Sequence, residues 1–139
     1  MAALCVAMLV DRDHVRYDDK ISDFWPEFAE HGKVNITVAQ ALSHAAGLSA
    51  VDRPARMSIR EWEIRAADAV ADQRPHWPPG SAFGYHPWSF GVIAREIVRR
   101  TDPLHRDISK FFADEVALPL NVSYFLGDLP REAEHMVSE

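Results

Sequence analysis

Tyr85 closes the run Trp77-Pro78-Pro79-Gly80-Ser81-Ala82-Phe83-Gly84-Tyr85, and His86-Pro87 follows it. Two prolines fix φ and two glycines reach conformations that side chains forbid, so this run is a stiff, irregular loop. Helical spacing resumes at once over Trp88–Arg100. A tyrosine held by a rigid loop at the mouth of a helix can pass a proton to or from a bound group. With an ordinary pKa of about 10, it needs a neighbouring cation to act as a base at neutral pH. The competing reading is a core tyrosine, its ring packed and its hydroxyl satisfied by backbone.

Other chemistries find little support. Histidines stand at positions 14, 31, 44, 76, 86, 105 and 135, yet no pair forms His-Glu-x-x-His or another paired ligand spacing. Asp18-Asp19 lacks a third ligand at a fixed spacing and reads as a solvated turn, and Glu132, Glu134 and His135 read as a solvated helix face. No metal and no cofactor is expected. A single cysteine, Cys5, excludes an internal disulfide. The formal net charge is -6, and the only lysines, Lys20, Lys33 and Lys110, are scattered, which argues against a nucleic-acid surface.

The elements that must position Tyr85 are helical. At 139 residues, with 47% hydrophobic and 26% charged side chains, the chain fits one domain or part of a larger one. Met1–Val10 is apolar but has no basic region before it and no small-residue cleavage site, and it is too short to span a bilayer. It reads as the second half of a buried helix, so the chain is expected to be partial.

Asp11–Arg16 reads as a turn with Asp13 left-handed. Tyr17–Phe28 reads as an extended, irregular segment docked by Phe24, Trp25 and Phe28. Thr37 and Gln40 form a capping box that opens a helix over Thr37–Ala45, with Gly47 as its left-handed stop. His44 falls in the last turn of that helix, where it either suits the dipole or packs. Ser58 and Glu61 form a second capping box, followed by the apolar stripe Ile59, Trp62, Ala66, Ala69 and Val70. In Trp88–Arg100 the apolar face is Trp88, Val92, Ile93 and Ile97, and Arg95, Glu96, Arg99 and Arg100 form the solvated face. Ile108, Phe111, Phe112 and Val116 mark another helix, closed by Leu118-Pro119-Leu120. Val122–Leu126 reads as a strand or extended arm, and Pro130–Glu139 as an exposed helix.

The order of these signals resembles one family. Val10-Asp11-Arg12 and Tyr17-Asp18-Asp19-Lys20-Ile21-Ser22-Asp23-Phe24-Trp25-Pro26-Glu27-Phe28 look like the segment after the nucleophile helix in serine beta-lactamase-related hydrolases. That group includes class C-like enzymes, esterases and penicillin-binding proteins. Ile36-Thr37-Val38 with Leu42-Ser43-His44-Ala45-Ala46-Gly47-Leu48 is similar to their helix ending in Leu-Ser-His-x-Ser-Gly-Leu. Trp77-Pro78-Pro79-Gly80-Ser81 with Tyr85, then Phe90-Gly91, then Leu118-Pro119-Leu120, resembles their tyrosine loop and the turn beyond it. Each piece is weak, but the ordered set is strong.

The resemblance implies a mechanism and a fold. In this family the serine of a Ser-x-x-Lys motif attacks a carbonyl and forms an acyl-enzyme, and a tyrosine shares the proton work with the lysine. A serine hydroxyl is a poor nucleophile until a base takes its proton. By resemblance Tyr85 is the second-motif proton-transfer residue, and His86 beside it is the candidate substrate contact. Position 87 is Pro87 where the class C pattern has asparagine, which favours the esterase-like or a divergent branch over a true lactamase. No serine here has lysine three residues later, and no Lys-Thr-Gly or Gly-x-Ser-x-Gly is present. Residues 1–139 are therefore expected to be the helical middle portion of a beta-lactamase/transpeptidase-like α+β fold. The chain is mainly α, most of its central sheet lies elsewhere, and complementary chain segments are missing. Full-length relatives would hydrolyse small esters or amides, and this chain alone would be inactive. The alternative is a non-catalytic helical binding or interaction module.

Overall fold

The structure, a computed structural model, describes residues 1–52 and 58–127. It is mainly α. In chain order the helices are α1 (Ala2–Asp11), α2 (Ile21–Phe24), α3 (Val38–Leu42), α4 (Ile59–Asp72), α5 (Ser89–Thr101), α6 (Ile108–Phe112) and α7 (Leu118–Leu120). A 3-10 segment, Pro26–Gly32, follows α2, and a π-helical stretch, Ala113–Ala117, joins α6 to α7. The described residues form no strand, only an isolated antiparallel bridge between Lys20 and Thr37.

Helix α5 is the hub, touching α1, α2, α3, α4 and α6. Its Val92, Ile93, Ala94, Ile97 and Val98 are all buried. Cys5, Val6 and Leu9 of α1, Trp62, Ala66 and Val70 of α4, and Phe111 and Phe112 of α6 fill the same core. Each large aliphatic side chain so covered contributes about 1.5–3 kcal/mol. Both expected capping boxes are formed. The hydroxyl of Thr37 accepts the Gln40 N–H at 3.2 Å, and that of Ser58 accepts the Glu61 N–H at 3.3 Å. Each Gln or Glu side chain returns the bond to the cap's backbone N–H.

Several expectations need correction. Tyr17–Phe28 is a turn followed by a short helix and the start of the 3-10 segment, because Trp25 and Phe28 turn inward as a stacked pair, ring centres 5.0 Å apart. Helix α3 stops at Leu42, three residues before Ala45, and His44 takes the left-handed conformation at φ 63°. Of the two readings of Val122–Leu126 the strand falls away, since it pairs with no strand among the described residues; it runs as an arm against α6, with Tyr124 edge-on to Phe112. Pro130–Glu139, with its Glu132, Glu134 and His135 cluster, lies outside the described residues.

Glu96 is the plainest correction. It is buried, not solvated. Its carboxylate accepts from Arg99 Nη2 at 2.6 Å and Arg100 Nε at 3.0 Å. Burial alone would push the carboxyl up, but the hydrogen bonds from Arg99 and Arg100 outweigh it and hold the group below the usual range. Arg100 also donates to the Phe24 carbonyl at 3.2 Å and stacks over Trp25, so the ion pair anchors α2 and the 3-10 segment to α5. Buried Asp102 pairs in the same way with half-buried Arg106, and Arg106 and Arg12 both reach Glu115, tying α1 to the π-helical stretch.

Lys33 is fully buried. Its Nζ donates to the carbonyls of Glu30 at 2.9 Å and of Gln73 at 2.7 Å, and lies 5.5 Å from the centre of the Phe28 ring. It thereby joins the 3-10 segment to the C-terminal end of α4, where a cation also suits the helix dipole. Burial pulls its ammonium down from 10.5 to about 8, opposed by Asp72 and Glu30 and assisted by Arg74. Between those two pH values the unfolded chain holds a proton that the folded chain has released, so stability rises with pH across that window. Relative to Lys33→Met, the wild-type chain should gain about 3 kcal/mol between pH 7.5 and 10.5. Urea unfolding of both proteins across that range measures it, and parallel curves would refute it.

Candidate active site

The site is built from two loops that lie far apart in sequence. The first is the left-handed turn after α3, where Ser43 ends the helix and His44 and Gly47 adopt φ values of 63° and 77°. The second is the Pro-Gly loop from Pro75 to Pro87, which leads into α5. Backbone bonds lace them together. The Ala45 carbonyl accepts from Gly80 N–H at 2.8 Å, the Gly47 carbonyl from His76 N–H at 2.8 Å, and the His44 carbonyl from Gly84 N–H at 3.1 Å. Side chains leave no room between them. A Cβ on Gly47 would lie 2.5 Å from the Trp77 carbonyl oxygen, and one on Gly84 would lie 2.5 Å from the Trp77 indole. Trp77 in turn donates its indole N–H to the Ala82 carbonyl at 3.0 Å, closing the loop on itself.

His86 is the buried pin of the arrangement. Its Nε2 accepts the Leu48 N–H at 2.9 Å, so its Nδ1 carries the proton and donates to the Gly84 carbonyl in a short bond. Burial pulls the ring below the ordinary histidine range, the Gly84 bond opposes this, and His44 and His76 add to it. A neutral ring with this tautomer suits both partners. Ser89, the first residue of α5, donates its hydroxyl to the Leu48 carbonyl, so the helix start is fastened to the same turn.

Tyr85 stands between these ties and points outward. It is 74% exposed, so the reading of it as a core tyrosine is wrong. Gly84 and His86, both tied to His44 of the turn after α3, take up the inward positions and leave the intervening side chain to solvent. Its ring meets the edge of His44 at 5.2 Å, and among the described residues nothing hydrogen-bonds its hydroxyl. Phe83 and Trp88 flank it, also exposed. A fixed, exposed phenol with an unengaged hydroxyl can exchange a proton with a group brought against it.

The structure thus brings Tyr85 and His86 into adjacent but opposite positions, one facing solvent and one facing the core. It adds His44, which the sequence reading left at the end of a helix; the only hint was its place in Ser43-His44-Ala45-Ala46-Gly47, ahead of a glycine. Among the described residues no cluster of three His, Cys, Asp or Glu side chains could hold a metal ion. No described helix is long and apolar enough to cross a membrane.

Comparison with known proteins places the chain in a family. The chain is 40% identical to a penicillin-binding protein homolog from Caulobacter crescentus, with a TM-score of 0.88 over 99% of this chain and 36% of that one. It is 37% identical to a family VIII carboxylesterase, with a TM-score of 0.87 over 96% of this chain and 37% of that one. A protein of Mycobacterium tuberculosis named Esterase/beta-lactamase LipL is 30% identical over 146 residues, a stretch that takes in 100% of this chain and 32% of that protein. The chain spans about a third of the length of these relatives. A family model described as Beta-lactamase matches residues 1–135, and the chain belongs to that family.

Proposed function

We propose that this chain supplies the tyrosine-bearing helical part of a serine hydrolase that cleaves small esters or amides through an acyl-enzyme. Family membership and the names of the relatives, which include esterases and a penicillin-binding protein homolog, support the reaction class. The observation that carries the reading is the presentation of Tyr85, an exposed phenol whose flanking residues are both tied to the turn after α3. On this reading Tyr85 exchanges a proton with the nucleophilic serine. The serine, its lysine and the sheet of the α+β fold come from chain outside residues 1–139. His86 serves from behind the loop, because a substrate contact would require its ring to abandon Leu48 and Gly84.

It follows that the 139 residues alone do not catalyse acyl transfer, since they contain no Ser-x-x-Lys. Purified wild-type chain and Tyr85→Phe should both hydrolyse p-nitrophenyl acetate at the buffer rate. A wild-type rate well above buffer that Tyr85→Phe abolishes would overturn the reading, because another nucleophile would then be at work. The binding-module alternative draws its support from the exposed Phe83 and Trp88 beside the loop.

A further inference from the structure

We infer that His44 is the positioning residue for Tyr85, holding the peptide groups on both sides of it through two different atoms. This rests on the reading of Tyr85 as the proton-handling group. The carbonyl oxygen of His44 accepts the Gly84 N–H at 3.1 Å, and its Nδ1 accepts the His86 N–H at 3.2 Å. Those two amides bracket Tyr85. The His44 ring also packs edge-on against the Tyr85 ring at 5.2 Å and, tilted, against Phe90 of α5 at 5.0 Å, so it fills the space between loop and helix.

The backbone of His44 is bent for this role. At φ 63° it sits in the left-handed region, which costs a side-chain-bearing residue about 1 kcal/mol or more. The turn is stabilised by Ala45 N–H donating to the Gln40 carbonyl at 2.8 Å. With the chain reversed there, carbonyl and ring both reach the Gly84–His86 stretch. For Nδ1 to accept, the ring proton must sit on Nε2, for which the described residues offer no partner. A structural filler would need the ring only for its shape. A positioning residue needs an acceptor at the place of Nδ1.

That difference separates two substitutions. In His44→Asn the amide oxygen falls where Nδ1 was, and asparagine tolerates the left-handed conformation. In His44→Gln the polar end falls near the place of Nε2, away from the His86 amide. Amide hydrogen exchange of the 139-residue chain, followed by NMR, gives the readout. The His86 amide of the Asn variant should exchange within about twofold of wild type, and that of the Gln variant about 10-fold faster, the equivalent of one ordinary hydrogen bond. Amides inside α5 should not change in either. Equal exchange at His86 in the two variants would overturn the inference.

If His44→Gln does not fold, His44→Gly takes its place, because glycine accepts the conformation freely. Added imidazole should then restore slow exchange at His86, and failure to restore it would overturn the inference. Neither readout depends on catalysis. A Tyr85 that proves irrelevant to hydrolysis would leave the clamp standing, and a failed clamp would leave the role of Tyr85 open to its own test.

Discussion

In a chimera where residues 1–139 replace the matching segment of the family VIII carboxylesterase, Tyr85→Phe is expected to lower kcat for p-nitrophenyl butyrate by about 100- to 10,000-fold. The substitution removes one oxygen and leaves the ring against His44. At 74% exposure and with no hydrogen bond to lose among the described residues, that oxygen contributes nothing visible to the stability of the loop. Any large loss must therefore come from chemistry. KM should move little, since a proton carried in the transition state is not a ground-state binding contact. The 37% identity and the TM-score of 0.87 make the exchange of segments structurally reasonable. A kcat within about threefold of the unmutated chimera would show that Tyr85 has no part in proton transfer. A chimera that is folded but inactive even before mutation would turn attention back to the binding-module reading.

The second large effect belongs to Gly47. Gly47→Ala is expected to destabilise the chain by about 2–5 kcal/mol, read by urea unfolding at neutral pH. Two terms add. The left-handed conformation, at φ 77°, costs an alanine about 1–2 kcal/mol. The new Cβ also meets the Trp77 carbonyl oxygen at 2.5 Å and the Pro75 Cβ at 3.0 Å, and overpacking of this kind costs about 1–3 kcal/mol. Neither neighbour can rotate away, because one is backbone and the other is a proline ring. Gly91→Ala is the matched control. Its Cβ would meet nothing, and α5 gains about 0.5–1 kcal/mol of helix propensity. A loss below about 1 kcal/mol for Gly47→Ala would mean that the two loops can part without cost, against the close fit seen at Trp77.

What the sequence made legible was local. The capping boxes at Thr37 and Ser58 were readable because both partners lie three residues apart and the bonds close within one turn. The stripe of Trp62, Ala66 and Val70 was readable because helical period alone puts those side chains on one face. Periodicity failed at Glu96. A charged residue on the expected polar face is buried because Arg99 and Arg100 neutralise it and Trp25 covers the assembly from another segment. At Val122–Leu126 composition left a strand and an extended arm both open, and the arm is what lies against α6, with no strand to pair with among the described residues.

The ordered motifs sufficed to place the chain in its family and to make Tyr85 a candidate, since motif order is a property of the chain itself. Whether Tyr85 faced the core or the solvent was not. That depended on His44, Leu48 and Trp77, which reach the loop from up to 42 residues away or across its own turn. Residue type and spacing along the chain determine helices and their caps, because those bonds are short in sequence. The direction of one side chain on an irregular loop is decided by contacts between distant segments, and only the tertiary structure brings those together.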